Sequence, residues 1–190
     1  MNLIAKGRYN VEKIEKIDKP DRPDRVALFV DGANFFYMQR KDLGVLLDPK
    51  KLINYCARFG EVVDAYYYVG QDVPPEARQQ SFLDALPYMG YALVTKQLKT
   101  ISDDTTGVAI KKANLDVEIV LDMFNTIDNY DMAVLVSGDG DFERPLQLLK
   151  SRGKKFKVMS TDKFIAGELR RITGMHYIDF KNIVDQLRKD

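Results

Sequence analysis

Hydrophobic positions in this chain fall into two kinds of run. Val26 to Val30 and Met132 to Val136 are each five consecutive apolar residues. Unbroken runs of that length fit strands buried on both faces, as in a parallel sheet covered by helices. Val62 to Val69, rich in valine and tyrosine, is a third expected strand; Tyr91 to Thr95, Phe156 to Met159 and the short edge segment Met175 to Ile178 complete the set. Helical spacing predicts helices over Asn34 to Lys41, Pro49 to Arg58, Leu115 to Asn125, Phe142 to Arg152 and Ile165 to Ile172. Another helix is expected from Pro74 and Pro75 to about Leu86, and a last one over residues 180 to 189 with Ile183, Val184 and Leu187 facing inward. Strands that alternate with helices throughout predict an α/β fold, a three-layer α/β/α sandwich with a mainly parallel sheet.

Two stretches escape this alternation. Residues 1 to 25 are charge-rich and contain Pro20 and Pro23, so they are expected to form an arm ahead of a single domain over 26 to 190. Val11, Ile14 and Ile17 recur at three-residue spacing, which suits a short amphipathic helix lying on the domain or on the second subunit of a homodimer. Lys96 to Asn114 is the least regular stretch and predicts a long surface loop. In the helix that follows, Glu118, Asp122 and Asn125 share one face, expected to be the wet one. Asp116 instead heads the stripe Asp116, Ile119, Val120, Met123 and Ile127 that should press on the sheet. A carboxylate there is costly unless it is hydrogen-bonded, paired or bound to a cation. The competing role is a first-turn acid held by backbone N–H groups and the helix dipole.

Composition narrows the classes. At 190 residues the chain suits one domain with a full core, and 45% hydrophobic with 30% charged residues is ordinary for a soluble protein. A net charge of +1 excludes a strongly basic chain, so any nucleic-acid surface must be local. The single cysteine, Cys56, permits no internal disulfide, and its spacing with Leu52 and Phe59 predicts a buried reduced thiol. No run approaches the roughly 18 apolar residues of a membrane span, and the N-terminus lacks a signal-peptide core, so the protein is expected in the cytoplasm and away from membranes.

The chemistry gathers where the two central runs stop. Val30 is followed by Asp31, Gly32, Ala33 and Asn34; Val136 is followed by Ser137, Gly138, Asp139, Gly140 and Asp141. Ligands of open parallel sheets bind just beyond the carboxyl ends of the strands, where both turns would lie. Convergence of Asp31, Asp116, Asp139 and Asp141 would raise some of their pKa values through repulsion unless a cation neutralised them. Oxygen ligands with no histidine or cysteine nearby favour magnesium or manganese, which keep several waters and bind phosphate with the rest of their shell. Such an ion activates water and stabilises phosphate oxygens, which suits phosphodiester hydrolysis. Asn34 and Ser137 are expected to orient the acids, the water or a phosphate; their structural alternatives are a helix start and a turn former.

These residues carry a resemblance. Val30-Asp31-Gly32-Ala33-Asn34-Phe35, the segment Lys112 to Met123 with its Asp116-Val117 pair, and Val136-Ser137-Gly138-Asp139-Gly140-Asp141-Phe142 resemble the three successive motifs of the NYN domain, in the LabA-like group of the PIN-like nuclease superfamily. The resemblance covers about residues 25 to 160 and implies a PIN-like fold and a metal-dependent ribonuclease site. Its acids map onto Asp31, Asp116, Asp139 and Asp141, with Asn34 and Ser137 as polar companions. Family members often carry a lysine and a glycine just before the valine-aspartate pair; here Ala113-Asn114-Leu115 precede Asp116, and the lysines stand at 111 and 112.

An RNA substrate needs cations along its backbone. Lys111 and Lys112 are expected to supply them, with Arg144 and Lys154 from the acid-free run Arg144, Lys150, Arg152, Lys154, Lys155 and Lys157. Tyr66, Tyr67 and Tyr68 are either a stacking surface for bases or strand packing, and His176 lies far from the motifs. The alternative within the same fold is a non-catalytic RNA-binding or regulatory module. The G-D-G-D run also resembles the acidic loop of haloacid-dehalogenase-type phosphohydrolases, but that chemistry needs an aspartate two residues after the first, and Ala33 stands there.

Overall fold

The structure, a computed structural model, describes residues 22–102 and 109–189; residues 1–21 of the expected arm lie outside the described residues. Six strands form one sheet: β1 (Arg25–Asp31), β2 (Glu61–Gln71), β3 (Ala92–Gln97), β6 (Met132–Val136), β7 (Lys155–Ser160) and β8 (Tyr177–Asp179). They lie in the order β3-β2-β1-β6-β7-β8, all parallel. The two apolar runs are the adjacent central strands β1 and β6, with Val26 opposite Met132 and Val30 opposite Val136.

Alternate residues of these strands feed two separate cores. Val26, Leu28, Val30, Val134 and Val136 pack under α1 (Gly32–Met38), α2 (Pro49–Cys56) and α3 (Ala77–Met89), a layer that also buries Phe35, Leu52, Cys56 and Leu86. Ala27, Phe29, Ala133 and Leu135 pack under α4 (Asp116–Asn125), α5 (Glu143–Ser151) and α6 (Gly167–Thr173) through Ile119, Met123, Leu146, Leu149 and Leu169. The expected three-layer α/β/α sandwich is therefore present. Strand order runs outward in opposite directions from the β1/β6 pair, so a crevice opens at their carboxyl ends.

At the amino ends, Arg25 clamps the same pair. Its Nη2 and Nε donate to Asp131 Oδ1 and Oδ2 at 3.0 and 3.2 Å, and its backbone N–H donates to Oδ2 at 3.0 Å. This double contact holds the Asp131 carboxyl well below the usual carboxylate range.

Three expectations are corrected. The stretch Lys96 to Asn114 is more than a loop, because it holds an antiparallel pair, β4 (Lys99–Ser102) and β5 (Ala109–Lys112), outside the main sheet. The final helix over 180 to 189 shrinks to α7 (Val184–Leu187) after a tight turn at Phe180–Asn182, because Asp179 accepts from the Lys181 N–H and Arg188 is extended to bridge Leu47. On α4 the acids are rotated out of the wet face. Tyr68 donates its hydroxyl to Asp122 Oδ2 at 2.9 Å and Lys96 reaches Glu118 at 2.6 Å, so Val117 and Leu121 are exposed beside Asn125 instead.

Candidate metal and phosphodiester site

A strand that ends in aspartate followed by glycine can turn at once into a helix, and here it does. Asp31 closes β1 and is the N-cap of α1, its Oδ1 accepting the Asn34 N–H at 3.0 Å. Asn34 is therefore held by the helix start rather than making it. Gly32 has to be glycine, since a Cβ there would run into the Tyr68 carbonyl oxygen and the Tyr67 ring. At the end of β6 the second turn is folded by its own acids: Asp139 caps the short turn Gly140–Phe142, its Oδ1 accepting the Asp141 N–H at 3.0 Å.

Asn34 and Ser137 stitch the two turns together. Buried Ser137 donates its hydroxyl to Asp31 Oδ2 at 3.0 Å and accepts the Asp139 N–H at 3.2 Å. Asn34 Oδ1 accepts the Gly138 N–H at 3.0 Å. Both residues thus fix the relative position of Asp31 and Asp139.

Asp116 arrives from a third direction. A helix that leads down into β6 must start at the carboxyl end of the sheet, and Asp116 opens α4 there, its N–H capped by Asn114 Oδ1 at 2.9 Å. Lys96 also donates to the Asn114 carbonyl oxygen at 2.9 Å, so its ties to Asn114 and Glu118 brace the first turn. The stripe behind Asp116 is inward as expected, with Ile119, Met123 and Ile127 buried.

The outcome is a group of carboxylates from three elements. Oxygens of Asp116, Asp139 and Asp141 lie within 4.8 Å of one another. Asp31 stands beside them, close enough for the charges of Asp116 and Asp139 to act on it. Burial, reinforced by those two charges, pushes the Asp31 carboxyl up to about 6 against the pull of the Asn34 N–H and the Ser137 hydroxyl. An all-oxygen donor set of this span suits a hard divalent ion, whose opposite ligands sit about 4 to 5 Å apart. Such an ion would also relieve the repulsion that the folded chain otherwise sustains.

The basic residues divide. Arg144 is exposed in the first turn of α5, directly after the acid turn. Lys111 and Lys112 lie on β5, with side chains outside the description. Lys154 is separated from the acids: its Nζ donates to the Tyr130 carbonyl oxygen at 2.7 Å, ahead of β6 at the opposite rim. There α5 has already carried the chain back across the sheet. Of the tyrosines, Tyr67 and Tyr68 are buried and Tyr66 stacks on Phe29 at 5.4 Å, so they pack rather than face solvent. Cys56 is buried, and burial pushes its thiol up to about 12. His176 is exposed against Phe156. One acid escaped the sequence reading: Glu168, in the first turn of α6, sits over Gly140 so closely that a Cβ there would come within 2.5 Å of its Oε1. Nothing local marks it, because α6 reaches the site only through tertiary packing.

Known proteins match this arrangement. Residues 25–189 match the NYN domain. The chain is 46% identical over 168 residues to the Low amplitude and bright protein LabA of Synechococcus elongatus, covering 87% of this chain and 88% of that one. A crystal structure of a protein of unknown function from Vibrio parahaemolyticus superposes with a TM-score of 0.72 at 23% identity, over 90% of this chain and 99% of the other, which speaks for the fold. Among the described residues no helix is long and apolar enough to cross a membrane. The sandwich, the acid-bearing turns and the extent of these matches agree: the chain belongs to the NYN domain family of the PIN-like nuclease superfamily.

Proposed function

We propose that this protein is a divalent-metal-dependent endoribonuclease that hydrolyses RNA phosphodiester bonds at the acid cluster. The observation that carries the reading is the meeting of Asp116, Asp139 and Asp141 within 4.8 Å beside Asp31, at the crevice between β1 and β6. These four aspartates would hold magnesium or manganese. When bound, the ion supplies water activation and charge neutralisation at the phosphate. Asn34 and Ser137 act as positioning residues, since they bond the two turns to each other. Arg144 on the rim, with Lys111 and Lys112 of β5, offers counter-charge to the RNA backbone.

The test is cleavage of labelled single-stranded RNA by the full chain with manganese or magnesium added. Asp31→Asn and Asp139→Asn are each expected to cut at least about a hundredfold more slowly, beyond what loss of an outer partner of a metal ligand costs, while melting at or above the wild-type temperature in EDTA. Undiminished cutting by both variants overturns the assignment. Salt-sensitive RNA binding without cutting at any metal concentration identifies a non-catalytic RNA-binding module instead.

A further inference from the structure

We propose that the outer face of α1 is a stacking platform that feeds single-stranded RNA into the acid cluster. The inference rests on the reading that the acids act on RNA, and adds the form of the RNA and the place of its bases. Ala33, Phe36, Tyr37, Arg40 and Lys41 recur at helical spacing and are all exposed, along α1 and the wider turn that continues it, Gln39–Leu43. This row starts two residues after Asp31, so the two rings stand about one and a half helical turns, roughly 8 Å, along the axis from an acid of the site.

The opposite face of α1 already satisfies the fold. Phe35 packs on Phe180 with ring centres 5.5 Å apart, and Phe35 and Met38 are fully buried. Phe36 and Tyr37 contribute little to that core, being 50% and 52% exposed. They touch each other edge to face at 6.0 Å, and the Arg40 guanidinium lies 5.9 Å from the Phe36 ring centre. Lys163 adds a further cation, its Nζ donating to the Lys41 carbonyl oxygen at 3.3 Å. The neighbouring acid, Asp42, is bonded to Lys181 at 3.0 Å and its charge also acts on Lys163, so Arg40 and Lys41 are the cations on which the row relies.

Exposed rings interleaved with cations match unpaired bases on a phosphate backbone, since each base offers a face to stack and each link a charge to meet. A duplex keeps its bases stacked inside and cannot use the rings. A second copy of the chain fits less well. Two half-exposed rings offer about 200 Å² of apolar surface, against about 800 Å² per partner in a stable interface.

The experiment measures fluorescence anisotropy of a fluorescein-labelled oligoadenylate, and of a labelled RNA duplex, in the Asp139→Asn background so that the strand survives. Adding Phe36→Ser with Tyr37→Ser is expected to weaken oligoadenylate binding at least about tenfold and to leave duplex binding within about twofold. Arg40→Ala with Lys41→Ala is expected to weaken both and to flatten the salt dependence of the single strand by about 1.4 in slope. Thermal melting keeps misfolding apart from lost binding. Oligoadenylate binding within about twofold of the parent overturns the platform. So does a drop from dimer to monomer in sedimentation with RNA affinity unchanged, which would make the face a self-association surface. Ring-dependent binding by a wild-type chain that never cuts removes the nuclease assignment and leaves the platform standing; cutting that ignores the rings does the reverse.

Discussion

Neutralising Asp31 should make the metal-free protein more stable, the reverse of the usual effect of altering a buried polar residue. The wild-type carboxyl titrates near 6 when folded and near its ordinary value of 3.8 when unfolded. Between those values the folded chain binds the extra proton, so stability falls as pH rises from about 4 to about 6 and is flat above. The difference of about two units corresponds to about 3 kcal/mol at neutral pH. An asparagine in its place keeps the acceptor for the Asn34 N–H but obliges the Ser137 hydroxyl to rotate, which costs about 1 kcal/mol. The net expectation for Asp31→Asn is a gain of about 2 kcal/mol at pH 8, or about 4 to 8 °C in melting temperature. Urea unfolding in EDTA at pH 4 and pH 8 measures it, and the advantage should vanish at pH 4. Manganese should then invert the order. An ion at 100 times its dissociation constant stabilises wild type by about 2.7 kcal/mol and does little for the variant. An Asp31→Asn protein that is less stable than wild type at pH 8 in EDTA, or equally favoured at both pH values, refutes the picture of a carboxylate destabilised by its burial and, to a smaller extent, by the charges of Asp116 and Asp139.

Other substitutions report on the frame around the site. Gly138→Ala would press a Cβ against the Phe164 carbonyl oxygen and to 2.8 Å from Ser160 Oγ, so it should cost about 1 to 3 kcal/mol in urea unfolding and weaken manganese binding by calorimetry. Asp131→Ala removes the clamp on β1 and β6 and should cost about 1 to 3 kcal/mol at pH 7. Because the Asp131 carboxyl is depressed when folded, that difference should persist above the ordinary carboxylate range and shrink as pH falls below about 4 in a series of urea melts. Tyr68→Phe takes the donor from Asp122 without changing the shape of the core, and should cost about 1 to 2 kcal/mol in the same assay.

What the sequence made legible follows from how much of each feature is local. β1 and β6 were readable because burial on both faces leaves an unbroken apolar run, and the acids because each follows such a run at a glycine turn or opens a helix. β4 and β5 were not, because strands of four residues paired only with each other are too short for an alternation in the sequence to mark them. Lys154 parts from Arg144 and the acids for a geometric reason. Arg144 and Lys154 belong to one run of charge, but the nine residues of α5 carry the chain about 14 Å, from the carboxyl rim to the amino rim. Asp122 misled for a different reason: helical spacing places it with Glu118, and only the Tyr68 hydroxyl on β2 decides which way that face turns. The site itself lies between these extremes. Each acid is marked by its own turn or helix start, but their convergence depends on β1 lying next to β6, and strand order is a property of pairing rather than of either strand alone. The pairs that enforce it, Arg25 with Asp131 at one end, and Asp31 with Ser137 and Asn34 with Gly138 at the other, are about 100 positions apart in the chain, which is why no local pattern displays them. The acid cluster is thus a consequence of two polar clamps on one pair of strands.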